Sequence, residues 1–277
     1  MSGRAGTDER KIIDIVAHRK AENRRDICEM YSMMYKEDLR QRVKLELTKN
    51  VEKAVLWWML DPAERDAQFA RDALQGWSVN YRVIIEITCS RSGEDLLSIR
   101  RAYQLLYNKS LEEDIAWETN GGTQKLLVAL ATAYRYTASE VNMNLAKIEA
   151  EQLYEGGEAK PDGVDEDIFV RILGTRSFAH LNVVFEYFKE LYGHDINKGL
   201  KGQCAGEMEE VIRMTVKCIN RPARYFAKVL HFSVKGLQEG RRIDEKCLTR
   251  IIVTRAEIDM QRIKAEFEVK YQRPLEL

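Results

Sequence analysis

The feature that most constrains this chain is a pattern repeated four times. Four arginines anchor it: Arg19 in Val16-Ala-His-Arg19, Arg91 in Thr88-Cys-Ser-Arg91, Arg176 in Leu173-Gly-Thr-Arg176 and Arg255 in Ile252-Val-Thr-Arg255. Seven residues before each stands Ile12, Ile84, Phe169 or Leu248, and four before stands Ile15, Ile87, Ile172 or Ile251. Eight after comes Ile27, Ile99, Val184 or Ile263, and twelve after an aromatic, Tyr31, Tyr103, Phe188 or Phe267. Sixteen after there is always a tyrosine (Tyr35, Tyr107, Tyr192, Tyr271), and twenty after Leu39, Leu111, Ile196 or Leu275. Self-similarity at a fixed register means stacked copies of one supersecondary unit.

The periods identify the unit. Offsets −7 and −4 share one face of a helix ending near the arginine, and +8, +12 and +16 form the apolar stripe of a second helix. A further helical half follows over 39–58, 111–134 and 196–218. Connecting helices over 62–74 and 222–234 each open with a proline, which the first helical position tolerates. These columns are core. The arginine column reads as a side chain bonding carbonyls at a helix C-terminus. The glycine-rich stretch 154–163 reads as a surface linker and as the hinge between halves. Glu112-Glu113-Asp114 sits at a helix start, where negative charge complements the helix dipole.

Composition narrows function. The 277 residues carry 44 Lys+Arg against 44 Asp+Glu, so the bulk cationic excess of a nucleic-acid binder is missing. Four prolines and sixteen glycines are too few for an all-β chain full of tight turns, and an all-α chain is expected. The longest strongly apolar run, 54–60, is far short of the roughly 20 residues that cross a bilayer, so no transmembrane segment is expected. The amino end reads as no secretion signal. Cys28, Cys89, Cys204, Cys218 and Cys247 form no Cys-x-x-Cys pair and read as reduced thiols of a cytoplasmic protein. His18, His180, His194 and His231 lack zinc-ligand spacing.

Particular stretches add a resemblance. Gly6-Thr-Asp-Glu9, Leu60-Asp-Pro-Ala-Glu-Arg-Asp66, Lys109-Ser-Leu-Glu-Glu-Asp114, Lys125-Leu-Leu-Val128 and Thr254-Arg-Ala-Glu-Ile-Asp259 resemble the annexin family. Leu60–Asp66, Ala17-His-Arg19 and Ala133-Tyr-Arg-Tyr136 look most like its plant-type members. The resemblance implies an all-α fold of four annexin-type repeats in a curved array: 1–59, 60–136, 137–221 and 222–277. It also implies that copies one and four pack together. The first copy lacks its first helix and the fourth its second half, so apolar surface is expected to be exposed on that side.

The function implied is calcium-dependent binding to anionic phospholipid such as phosphatidylserine. Calcium wants six to eight oxygens. Loop carbonyls and one capping carboxylate supply part of the shell, and lipid oxygens complete it. In the family frame the loop threonine lies 12 before the anchor and the acid 27 after it. That assigns carbonyls of Ser2, Arg4 and Gly6, beside Thr7, with Glu46 as the cap. Weaker candidates are Gly76 and Ser78 with Glu118. Copy three pairs Pro161-Asp-Gly163 with the neutral Gln203, and copy four offers Gly240-Arg-Arg-Ile243 with no acid in reach. Each copy keeps one of two loop glycines, so fewer sites than usual are expected.

Trp77 at a loop tip suits the headgroup boundary, and Arg241 and Arg242 would face anionic lipid. Localisation is expected to be cytoplasmic and peripheral to the plasma membrane or other membranes. The alternative is a calcium-independent scaffold, binding actin or itself. The family has also been linked to peroxidase-like chemistry, with His18 as haem contact and Cys89 as redox thiol. His18 has no second axial ligand at a recognisable spacing, and the phosphate-loop motif of nucleotide hydrolases is absent, so the chain is read as a non-enzyme.

Overall fold

The computed structural model describes residues 9–47, 49–132, 135, 140–161, 163–202, 207–235 and 243–275. Every regular element among them is a helix. In chain order these are α1 Glu9–Ala17, α2 Ala21–Tyr35, α3 Leu39–Glu46, α4 Lys49–Met59, α5 Pro62–Leu74, α6 Tyr81–Ser90, α7 Gly93–Tyr107, α8 Leu111–Glu118, α9 Gly121–Ala131 and α10 Met143–Glu155. There follow α11 Glu166–Thr175, α12 Phe178–Tyr192, α13 Ile196–Gly199, α14 Glu207–Asn220, α15 Pro222–Lys235, α16 Glu245–Arg255 and α17 Met260–Tyr271. The helix pair foreseen around each arginine is present four times, as α1–α2, α6–α7, α11–α12 and α16–α17. Each foreseen second half is broken in two, as α3–α4, α8–α9 and α13–α14.

Side-chain caps explain these boundaries. Nineteen residues after the first three anchors, Asp38, Ser110 and Asp195 accept a backbone N–H of the helix they open. Ser92 with Asp95 and Ser110 with Glu113 form capping boxes. Seventeen residues after every anchor the chain turns left-handed, at Lys36 (φ 57°), Asn108 (54°), Gly193 (75°) and Gln272 (53°). The N–H of each closes on the carbonyl four residues back.

The chain forms two compact units: Met1–Arg65 with Phe226–Leu277, and Asp66–Tyr225. The first thus joins the first and fourth copies. In the second, the repeat columns are fully interior: Ile84, Ile87, Ile99 and Tyr103 from one copy, Phe169, Ile172, Val184 and Phe188 from the next. In the first unit, Val16, Val43, Leu47, Val55 and Met59 make a small cluster. Exposed apolar side chains crowd its first copy, at Ile15, Met30, Met33, Met34, Tyr35 and Leu45.

Three readings need correction. The stretch 154–163 is no hinge between halves, because both unit boundaries lie elsewhere, at 65/66 and 225/226. Gly156 and Gly157 within it serve close packing. A Cβ on Gly157 would lie 2.7 Å from the Leu153 carbonyl and 3.1 Å from the Phe169 ring. Second, the anchors engage carboxylates, which the reading of a carbonyl-bonding arginine did not include. Arg91 Nε meets Asp66 Oδ2 at 2.6 Å, Arg176 meets Glu149 at 2.7 Å, and Arg255 grips Asp259 with two bonds of 2.8 and 2.7 Å. These carboxylates balance the guanidinium charge at the helix ends, although Arg91 Nη1 stays buried without a hydrogen-bond partner among the described residues. Third, Glu113 serves the α8 cap as foreseen, but Asp114 is buried, accepting from Arg71 and, at 2.5 Å, from the Tyr103 hydroxyl.

Candidate functional site

The candidate cation loops lie just before the first helix of each anchored pair. In copies one and two the capping position is the last residue of the third helix. Glu46 ends α3 and Glu118 ends α8. Both helices stop there because the next residue, Leu47 or Thr119, is extended and closes the last turn through its N–H. Ser2, Arg4, Gly6 and Thr7 lie outside the described residues, as do Asp162, Gln203, Gly240, Arg241 and Arg242. Glu46 is described. It is partly exposed and pairs with Arg42 one turn back at 2.9 Å.

The second copy is described in full. Its loop runs from the end of α5, where Gln75 donates to the Arg71 carbonyl, to Asn80, which donates to the Ala73 carbonyl at 2.9 Å. Between them stand Gly76, Trp77 and Ser78, with the Trp77 side chain fully in solvent. Glu118 is exposed, and no hydrogen bond or ion pair engages its carboxylate among the described residues. Sequence reasoning missed Trp117, which is 84% exposed beside that acid. The available signal was a tryptophan outside every apolar column.

The loops differ in backbone. Gly163, thirteen residues before its anchor, has φ +100°, where only glycine is comfortable. The matching residue in copy two is Ser78, which stays outside the left-handed region. The two loops therefore aim their carbonyls differently at this point. In copy one the matching residue is Gly6, which can follow the route of copy three. Among the described residues, no three His, Cys, Asp or Glu side chains converge to hold a metal. Any hard cation here would lean on carbonyls completed by one carboxylate, which is the donor chemistry of calcium.

The remaining candidates look different in space. His18 is exposed just past the end of α1, its Nδ1 lying 3.0 Å from the Asp14 carbonyl of that helix. Cys89 is buried, and that burial pushes its thiol up despite the opposing pull of the Arg135 guanidinium. A thiol held protonated is a poor nucleophile and a poor redox centre. No helix among the described residues is long and apolar enough to cross a membrane.

Comparison with known proteins follows the same four segments. The family model described as Annexin matches residues 2–58, 65–130, 149–214 and 225–277. The annexin-like protein RJ4 of Fragaria ananassa is 43% identical over 271 residues, covering 98% of this chain and 84% of its own. Annexin Gh1 of Gossypium hirsutum is 44% identical over 270 residues with the same coverage. Among solved structures, annexin III superposes with a TM-score of 0.91 at 33% identity, over 98% of this chain and 83% of its own.

Proposed function

Because the chain belongs to the annexin family, whose members generally bind membrane phospholipid in a calcium-dependent way, we propose that it is a peripheral binder of anionic bilayers using one principal calcium site. The site is that of copy one. Carbonyls of Ser2, Arg4 and Gly6 and the Glu46 carboxylate would hold the ion. Bound calcium would contribute the charge and open coordination positions that a headgroup oxygen fills.

The observation that supports this choice is the backbone of Gly163 at φ +100°. Copy three has that glycine but faces it with Gln203, a neutral and monodentate cap. Copy two has the acid, Glu118, but Ser78 in the glycine's place. Copy one alone joins Gly6 to an acid, Glu46. The ion pair with Arg42 orients the Glu46 carboxylate at the end of α3 without burying it. Gly76, Ser78 and Glu118 form a weaker second site.

Membrane contact is extended by Trp77 and Trp117, which border that second loop and its acid. Indole rings favour the headgroup region, and Arg241 and Arg242 would add about 1 kcal/mol each near anionic lipid. The proposed setting is cytoplasmic, peripheral to the plasma membrane or other membranes.

Cosedimentation with phosphatidylserine vesicles, with calcium or with chelator, tests this reading. Calcium is expected to drive the protein into the pellet, and Glu46→Gln to raise the calcium needed at least tenfold. Absence of pelleting in both conditions, or a Glu46→Gln variant with an unchanged calcium requirement, refutes it.

A further inference from the structure

Two copies carry the same departure from helix patterning, one residue before the proposed capping acid. Twenty-six residues after the anchor stands Leu45 in copy one and Trp117 in copy two, followed at once by Glu46 and Glu118. Leu45 is 78% exposed and Trp117 84%. Both end helices with one in-and-out pattern. Val43 and Leu47 are buried in copy one, as are Ile115 and Thr119 in copy two, and the N–H of the second of each pair closes on the carbonyl of the first at 3.1 Å. Two residues on from Val43 or Ile115 is about 200° around the helix, so Leu45 and Trp117 stand on the face turned away from the core.

One turn earlier on that face stand Gln41 and Glu113, both polar and exposed. A single exposed leucine is ordinary, but the same offset in two copies is a pattern. In copy two the loop leading into the repeat, 75–80, is described and Trp117 is still open to solvent, so its exposure does not depend on how much chain precedes the copy. Copy three supplies the contrast. At the same two offsets it has Gly202 and the neutral Gln203. The apolar side chain accompanies the acid and is missing where the acid is missing.

We propose that Leu45 and Trp117 are insertion residues, each entering an anionic bilayer beside its acid once a cation has neutralised that carboxylate. The inference rests on the calcium-dependent lipid binding proposed above and adds the apolar half of the contact. Isolation of each side chain favours lipid over a protein partner. A stable protein interface covers about 800 Å² per partner around a contiguous apolar centre. Leu45 instead stands between Lys44 and Glu46, and lipid accepts a lone apolar side chain without a matching cavity. Charge sets the order of events. A carboxylate one residue away is repelled by anionic headgroups, so without the cation it holds the apolar side chain off the surface. Bound calcium reverses the sign of charge at that spot, and burial of the apolar group then adds to the ionic bridge.

Cosedimentation with vesicles of phosphatidylserine and phosphatidylcholine, at saturating calcium or with chelator, tests this. Leu45→Asn should raise the lipid needed for half-maximal pelleting about fivefold, because full burial of a leucine shifts an equilibrium at least about tenfold and insertion among headgroups covers only part of it. Trp117→Asn should raise it less, its site being the weaker one. Leu105→Asn, at an equally exposed leucine of α7, should leave it unchanged. Leu45→Trp gives copy one the residue of copy two and a reporter. Bromine on the acyl chains should quench its added emission with calcium, and chelator should restore it. Circular dichroism checks each fold, and both positions, being exposed, can change without loss of core. Wild-type protein that pellets in neither condition removes the lipid reading and this inference with it. If the wild type pellets with calcium, insertion alone is overturned by any of three results: Leu45→Asn and Trp117→Asn that match it, Leu105→Asn as weak as Leu45→Asn, or Leu45→Trp emission that is not quenched or whose quenching survives chelator.

Discussion

Removing the carboxylate of Glu257 should destabilise the first unit more than removing the arginine it pairs with. Arg24, in α2 of copy one, is 1% exposed, while Glu257, just after α16 of copy four, is 34% exposed. Two bonds of 3.1 Å join them, and the guanidinium lies 3.8 Å over the Trp58 ring. Glu257 also accepts the Ala21 N–H at 3.0 Å. It thereby caps α2, whose own N-cap residue, Lys20, supplies no side-chain bond. One carboxylate thus serves a helix terminus and a buried cation at once.

Glu257→Ala strands that cation. Losing one partner of a buried pair costs about 3–5 kcal/mol, and a lost cap about 1 kcal/mol more. The bond from Arg24 to the Arg19 carbonyl and the Trp58 face remain, so the net cost is placed at about 3 kcal/mol. Yet Arg24 Nε is buried with no hydrogen-bond partner among the described residues, so the group has little satisfaction to spare. Arg24→Met leaves a carboxylate that water reaches and that still caps Ala21, and its cost should be about 1–2 kcal/mol. Urea unfolding, with hydrogen exchange resolved over 9–47 and 243–275, measures both. The double variant should cost less than the sum of the singles. A larger cost for Arg24→Met than for Glu257→Ala, or strict additivity, refutes the account.

His231 is held below its ordinary value of 6.5 by burial first, then by the nearby Arg273, Lys235 and Lys270 cations. The unfolded chain therefore binds the proton more readily, and the neutral ring contributes stability above about pH 6.5 that is lost as pH falls through the depressed value. Melting of the first unit should drop between pH 7.5 and 5, and His231→Phe, which keeps the Tyr271 stack, should flatten that drop. An equally steep profile in the variant removes His231 as its cause. Gln203→Glu gives copy three the acid that its Gly163 loop lacks. Calorimetry with phosphatidylserine vesicles should then show one additional calcium bound, and an unchanged stoichiometry would show that the glycine route and an acid do not suffice.

What the sequence disclosed follows from how each feature repeats. The apolar columns were legible because Ile99, Val184 and Ile263 are chemically alike, and burial tolerates such exchange at fixed spacing. The left-handed column at Lys36, Asn108, Gly193 and Gln272 was not. Only one of its four residues is a glycine, and helix termination holds the other three in place. The anchor partners were hidden for a different reason. Asp66 lies 25 residues before Arg91, Glu149 lies 27 before Arg176, and Asp259 lies four after Arg255. One electrostatic need is met at three different offsets, twice from a preceding helix and once from the turn after the anchor, so no column forms.

The same distinction governs the candidate sites. Whatever keeps the copies alike belongs to the fold: the Tyr-to-Tyr or Phe-to-Tyr ring spacing stays within 4.6–5.0 Å in all four. Whatever differs between them marks what each copy can bind. Ser78 against Gly163 alters a loop backbone, and Gln203 against Glu46 alters the charge of the proposed capping group. Neither exchange disturbs a core column, so each copy could diverge at its loop without cost to the packing beneath. An annexin repeat therefore separates its capacity to fold from its capacity to hold an ion or a partner, and binding has to be argued copy by copy.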